Sequence, residues 1–290
     1  MSQVFFKSQK LKTGGIKMSK KKVKELLKDL DERIDKIQSS KEFKEYLKFF
    51  SKFHDYSYRN ILLIKMQRPD ASLVAGYKQW QEKFNRHVKK GEEGIMILAP
   101  YKYKKKVTEL KKETVEGNII EKEVKKGKEF LSFRSVYVFD VSQTKGDAIP
   151  AWDIEIKNEN KKTLKPLLNF TNKLGITVEF KPLREALKGY SKGGKIIING
   201  KLNDTEKVVV LAHEIAHEML HQSNDDQGLT KEIVELEAEA VSFLVSEYFN
   251  IDNPSERYLA LYKKSYNLMK SFKRINEVSQ DIINGILELI

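Results

Sequence analysis

The stretch LAHEIAHEML, residues 211–220, decides how the C-terminal half of this chain is read. His213 and His217 stand four residues apart, so on a helix both imidazoles leave from one face, with Glu214 beside it. The flanking positions Val208, Val209, Leu211, Ala212, Ile215 and Ala216 are apolar and describe a buried helix. Polar groups set into such an element need partners, and a metal ion is one. His-Glu-x-x-His is the arrangement in which two neutral imidazoles hold zinc and the glutamate acts as general base. A carboxylate in that place takes a proton from an attacking water and hands it to a leaving amine.

Working outward, Asn203 followed by Glu206 predicts a capping box at the start of this helix. His221 lies one helical step beyond His217 and is expected to be structural, because a ligand two turns from His213 converges poorly. A third ligand is expected from the next helix, in ELEAEAVSF, residues 235–243. Glu235 and Glu239 share a face, with Ala238 between them and Ser242 beside them, and small residues let two helices approach. Glu235 is the expected ligand, and Glu239 the carboxylate that orients a histidine. Glu237 is the competing ligand. Upstream, the strand Lys195–Asn199 is expected to offer an edge to an extended substrate, and Tyr190, in a glycine-rich loop, is a candidate oxyanion donor.

The whole chain sets the frame. Its 290 residues suffice for two domains. There is no cysteine, which excludes disulfides and thiolate metal sites and fits a cytoplasmic protein. No run of apolar residues is long enough to span a membrane, and the N-terminus lacks the apolar core of a secretory signal. The net charge of +13 is unevenly placed. Residues 1–150 hold 35 Lys+Arg against 20 Asp+Glu, and residues 151–290 hold 19 against 21. The basic excess therefore sits in the N-terminal half, as in a module that meets a polyanion.

Periodicity predicts helices over 19–50, through YSYRNILLIKMQRP up to Pro69, and over 76–86. A glycine turn at Gly91 and Gly94 leads to a short buried strand, Ile95–Leu98, ended by Pro100. Residues 101–130 form a highly charged excursion with a turn at Glu116-Gly117-Asn118. A strand returns over 133–144, and Pro150 opens a linker. The C-terminal half reads as a helix at 161–174, a strand GITVEF, the strand 195–199, the histidine helix, a glutamate-rich helix over 230–249, and helix from Asn253-Pro254 to the end. The expected organisation is a flexible tail at 1–20, a domain at 21–150 and a second at 151–290.

HEIAH with ELEAEAVSFLV downstream resembles the zincin domain of ArdC-like antirestriction proteins. The stretches YSYRNILLIKMQRP, VAGYKQWQEKFNRHVKKGEEGIMILAPY and VYVFDVSQTKG are similar to the same family's single-stranded-DNA-binding domain, in the same order. The resemblance covers most of residues 40–250. It implies an α+β protein of two domains: a basic α/β single-stranded-DNA-binding domain, then a mostly helical, gluzincin-like HExxH metallopeptidase domain. It further implies Zn2+ held by His213, His217 and Glu235, with Glu214 as catalytic base, and a mobile-element context in which the protein accompanies incoming DNA. The pattern Glu235, Ala238, Glu239 matches that of related gluzincins. The basic half then acquires a chemistry: Arg59, Lys65, Lys78, Arg86, Lys89 and Lys90 to neutralise phosphates, Tyr58, Tyr77 and Trp80 to stack on bases, with packing in the domain's core at helical spacing the equal alternative for Tyr77 and Trp80. Asn60, Gln143 and Thr144 also match, either as DNA contacts or as structural caps. The expected partners are single-stranded DNA and a protein or peptide substrate. Two other readings stay open: a non-catalytic DNA-coating antirestriction module with a structural zinc, and a regulatory protease that cleaves a repressor.

Overall fold

The computed structural model of the chain describes residues 25, 27–30, 32, 40–115, 118–148, 161–221, 229–253 and 268–290. The expected tail at 1–20, the turn at Glu116-Gly117, the linker after Pro150 and the helix start at Pro254 lie outside the described residues.

Two helices, α1 (Ser40–Ser51) and α2 (Tyr58–Gln67), open the described chain. A short strand β1 (Val74–Gly76) runs into α3 (Tyr77–Phe84), which ends at Asn85 in the left-handed conformation. Strands β2 (Arg86–Val88), β3 (Ile95–Val115) and β4 (Asn118–Asp140) follow, then a 3-10 turn (Val141–Gln143) and β5 (Thr144–Gly146). β1, β4 and β3 form one antiparallel sheet in that order, and β2 pairs with β5.

The strand beginning at Ile95 does not stop at Pro100; it continues to Val115 and pairs with β4 throughout. The reason lies in which way its backbone faces. Leu98 exchanges two 2.9 Å hydrogen bonds with the side-chain amide of Asn60, and Met96 exchanges bonds of 2.8 and 2.9 Å with that of Gln67. Positions 96, 98 and 100 therefore turn their N–H and C=O groups away from β4. The missing N–H of Pro100 falls on the outer edge, where proline is tolerated. Asn60 and Gln67, both on α2, cover an edge that otherwise invites pairing with another chain.

The C-terminal half comprises α4 (Lys161–Lys173), β6 (Thr177–Lys181), β7 (Gly189–Ser191), β8 (Lys195–Asn199), α5 (Asp204–Leu220), α6 (Lys231–Tyr248) and α7 (Leu268–Leu287). β8 pairs in parallel with β6 and antiparallel with β7, so the order is β6-β8-β7. The strand 195–199 is therefore central, and the edge belongs to β7. Three residues around a tyrosine give too short an alternation for a strand to be read there.

The expected capping box forms: Asn203 Oδ1 accepts from Glu206 N at 2.9 Å and Glu206 Oε2 from Asn203 N at 3.1 Å. α6 lies against α5, with Ser242 Oγ donating to Val209 O at 2.9 Å. The N-terminal helices share the same apolar core. The rings of Phe43 and Phe50 of α1 have their centres 5.4 and 5.0 Å from that of Phe272 on α7, and Gln280 of α7 donates to Tyr56 O at 2.8 Å. That core fixes α5, α6 and α7 relative to one another, and so fixes the site.

Candidate metal centre and nucleic-acid face

His213 and His217 occupy consecutive turns of α5, and their Nε2 atoms lie 3.0 Å apart. Glu235, in the second turn of α6, brings Oε2 to 3.7 Å from each. Among the described residues these three form the group of donors close enough to share a metal ion. The point equidistant from the three atoms is about 2.0 Å from each, the distance at which zinc binds imidazole and carboxylate. Two imidazole nitrogens and one carboxylate oxygen are also the donor chemistry of a catalytic zinc site with one open position. The residues fit the ion.

Glu239 sits one turn after Glu235, with Oε2 at 3.1 Å from His213 Nδ1. The ring nitrogen pointing away from the donor cluster thus faces a carboxylate. Burial works against a charged His213, but Glu235 and Glu239 outweigh it and raise its pKa to about 9. The same two histidines hold Glu235 well below the usual carboxylate range.

Glu214 is buried on the side of α5 that meets β7. Burial pushes its carboxyl up, while the histidines and the Ser191 backbone N–H act against this. β7 can approach so closely because residue 189 is glycine. A Cβ there would stand 2.6 Å from Val210 Cγ1 and 3.5 Å from Glu214 Oε1. Alternate strand residues face opposite sides, so Tyr190, between Gly189 and Ser191, projects from the far face, within electrostatic reach of Lys181. It is not placed as an oxyanion donor at this cluster. The Gly189 and Ser191 backbone, which sequence reasoning passed over, is what borders Glu214.

Glu237 turns to the other side of α6. It is fully buried, accepts from Arg274 Nε at 2.9 Å, and contacts Ser271 and the Arg274 Nη2 group. His221 lies 3.8 Å from it. This carboxylate joins α6 to α7 and stands apart from the donor cluster.

The basic half distributes its expected DNA contacts unevenly. Trp80 is completely buried, with Nε1 donating to Phe139 O at 2.9 Å, so it cannot stack on a base. Asn60 is spent on the β3 edge. Lys65 is half-buried, its Nζ 4.9 Å from the Tyr46 ring centre and 5.0 Å from that of Phe49. Arg86 joins β2 to β5 through Thr144 Oγ1 at 2.8 Å and the Asp147 carbonyl. These four are taken up by the fold. Gln143 and Thr144 are buried caps, as one of their two readings had it. Tyr77, Lys78, Lys89, Lys90 and Arg59 remain exposed. Arg59 lies over the half-buried Tyr58 and donates to its hydroxyl at 3.1 Å, and Lys89 donates to Ser142 O at 2.8 Å. Tyr101, Tyr103, Leu131 and Phe133 on the β3–β4 hairpin are exposed too, and the sequence reading named none of them. The alternation Tyr-x-Tyr opposite Phe-x-Ser was the available signal, but only a paired register makes it visible.

Residues 17–139 match the N-terminal domain of anti-restriction factor ArdC, and residues 171–279 match the IrrE N-terminal-like domain of the M78 peptidases. An uncharacterized Bacillus anthracis protein is 27% identical over 308 aligned residues, which cover 92% of this chain and 51% of that protein. The chain thus spans about half the length of this curated relative. The antirestriction protein ArdC of plasmid R388 has a metal-free crystal structure, 17% identical with a TM-score of 0.43, covering 79% of this chain and 84% of that one. Its Mn(II)-bound structure is 16% identical with a TM-score of 0.42, covering 80% and 89%. None of the described helices is long and apolar enough to cross a membrane. The chain is an ArdC-like protein, with the N-terminal domain of the anti-restriction factor ArdC followed by a peptidase-like M78 domain.

Proposed function

We infer that this protein binds single-stranded DNA through its N-terminal domain and hydrolyses peptide bonds at a zinc site in its C-terminal domain, in the cytoplasm, as an antirestriction factor of a mobile element. The observation that carries the peptidase reading is the triangle of His213 Nε2, His217 Nε2 and Glu235 Oε2 with Glu214 buried beside it. His213, His217 and Glu235 would hold the ion, which supplies Lewis acidity when bound. Glu239 keeps the His213 ring turned so that Nε2 points into the triangle. Glu214, made more basic by burial, accepts the proton of the attacking water and passes it to the departing amine. β7 has no strand on its outer side among the described residues. An extended peptide added there would run past Gly189 and Ser191, alongside Glu214.

Elemental mass spectrometry of protein purified without chelators tests the centre. The expected result is about one zinc per chain, retained in Glu237→Ala and lost in His213→Ala and Glu235→Ala. Absence of tightly bound metal from the folded wild type overturns the reading. Glu214→Gln should keep the metal and lose proteolysis. If protection of DNA survives that change, it rests on binding alone.

A further inference from the structure

The β3–β4 hairpin has two faces, and its residues are sorted between them. Side chains of directly paired residues share a face, and successive pairs alternate. One face carries Tyr101 opposite Ser132, Tyr103 opposite Phe130, and Lys105 opposite Lys128. The other face carries Lys102 opposite Leu131 and Lys104 opposite Glu129. Lys104 and Glu129 approach to 3.7 Å. Lys104 thus has an acid across from it, while Lys105 and Lys128, on the face that carries the rings, stand opposite each other. Like charges directly across a ladder are destabilising, and an anion laid along that face relieves them.

The rings on this face lie side by side, Tyr103 stacked on Phe130 and Tyr101 tilted by 37° to Tyr103. Tyr101 and Tyr103 have centroids 6.0 Å apart, and Tyr103 and Phe130 lie 5.7 Å apart with planes inclined by 26°. Tyr101 is 38% exposed and Tyr103 43%. We propose that this face of the hairpin, with Tyr101, Tyr103 and Phe130 as stacking platform and Lys105 and Lys128 as phosphate contacts, is where a single nucleic-acid strand binds. Aromatic rings interleaved with cations hold single strands because every base has a stacking face and every nucleotide a phosphate. A duplex hides its base faces and has no use for such rings. The proposal rests on the single-stranded-DNA reading above and moves its centre from the helical stretch 58–90, where Trp80, Asn60, Lys65 and Arg86 are spent on the fold, to the hairpin.

Fluorescence anisotropy of the full chain with a labelled oligothymidylate, and with an abasic oligomer of equal length, tests it. Threonine keeps the strand propensity of the exposed tyrosines, so Tyr101→Thr/Tyr103→Thr is the variant of choice and Tyr101→Phe/Tyr103→Phe its control. The expected result is oligothymidylate binding weakened on the order of ten-fold in the threonine variant. Abasic binding, phenylalanine-variant binding and the salt dependence should stay unchanged, because no charge is removed. If the wild type binds oligothymidylate and the threonine variant stays within about two-fold of it, the platform is overturned and the DNA reading stands. Equal loss on both oligomers also overturns the platform. If the folded wild type binds neither oligomer, the DNA reading falls, and the platform with it. An unchanged DNA affinity with a dimer turned monomer in light scattering assigns the face to a second copy of the chain instead.

Discussion

Arg274 on α7 donates from Nε to Oε2 of Glu237 at 2.9 Å, and Glu237 is completely buried in the middle of α6. The carboxylate's position in the sequence, between Glu235 and Glu239, made it the rival ligand. Its charge is instead answered by a guanidinium from a helix that begins 31 residues later in the chain. Removing one partner of a buried pair leaves the other uncompensated. Arg274→Ala is therefore expected to destabilise the protein by on the order of 3 kcal/mol in denaturant unfolding. A loss under about 0.5 kcal/mol, as for an exposed pair, would contradict this arrangement.

Glu239 faces His213 Nδ1 at 3.1 Å, on the side of the ring away from the donor triangle. Carboxylates in this position set ring orientation and ligand basicity. Glu239→Gln should weaken zinc binding by about 10- to 100-fold without abolishing it, as read by competition with a chromophoric chelator. Glu235→Ala should lose it altogether. Equal losses in the two variants would place both carboxylates in the same role.

In metal-free protein His213 titrates near 9, held up by Glu235 and Glu239 against the effect of burial. Its folded pKa lies above the unfolded value of about 6.5. The stabilisation is complete below about pH 6.5 and is lost as the pH rises towards about 9. The melting temperature of chelator-treated protein should fall across this window, and His213→Gln should flatten the fall. Zinc needs the imidazole neutral, so binding at neutral pH should release a proton. Calorimetry in buffers of different ionisation enthalpy measures that release.

Asn60 holds both the N–H and the C=O of Leu98 at the edge of β3 that α2 covers. Asn60→Leu leaves both groups unpaired next to α2 and is expected to cost about 1–3 kcal/mol. It also uncovers a strand edge, so size-exclusion chromatography should show association that the wild type lacks. A variant equally stable and equally monodisperse would refute the edge-covering role.

Local signals were readable in the sequence alone. The period of α5 put His213 and His217 on one face, and Asn203 with Glu206 marked its start. The small residues around Glu235 anticipated a close crossing of α5 and α6, and the charge split marked the N-terminal half as the basic one. Each depends on neighbours within a few turns, where spacing fixes geometry. The sequence could not say which way each of three clustered glutamates would be answered. Arg274 and Ser271, which engage Glu237, come from a distant helix, and Glu239 meets His213 across a helix crossing. Nor could it show that Pro100 lies within a strand, since that depends on Asn60 and Gln67 covering the edge. Trp80 read equally as a base-stacking and as a core residue because composition does not reveal burial, and the ladder that brings Tyr101, Tyr103, Lys105 and Lys128 onto one face exists only once β3 and β4 are paired. Period and capping are properties of a short segment. Burial, edge position and charge compensation belong to contacts between segments, and only the tertiary structure decides them.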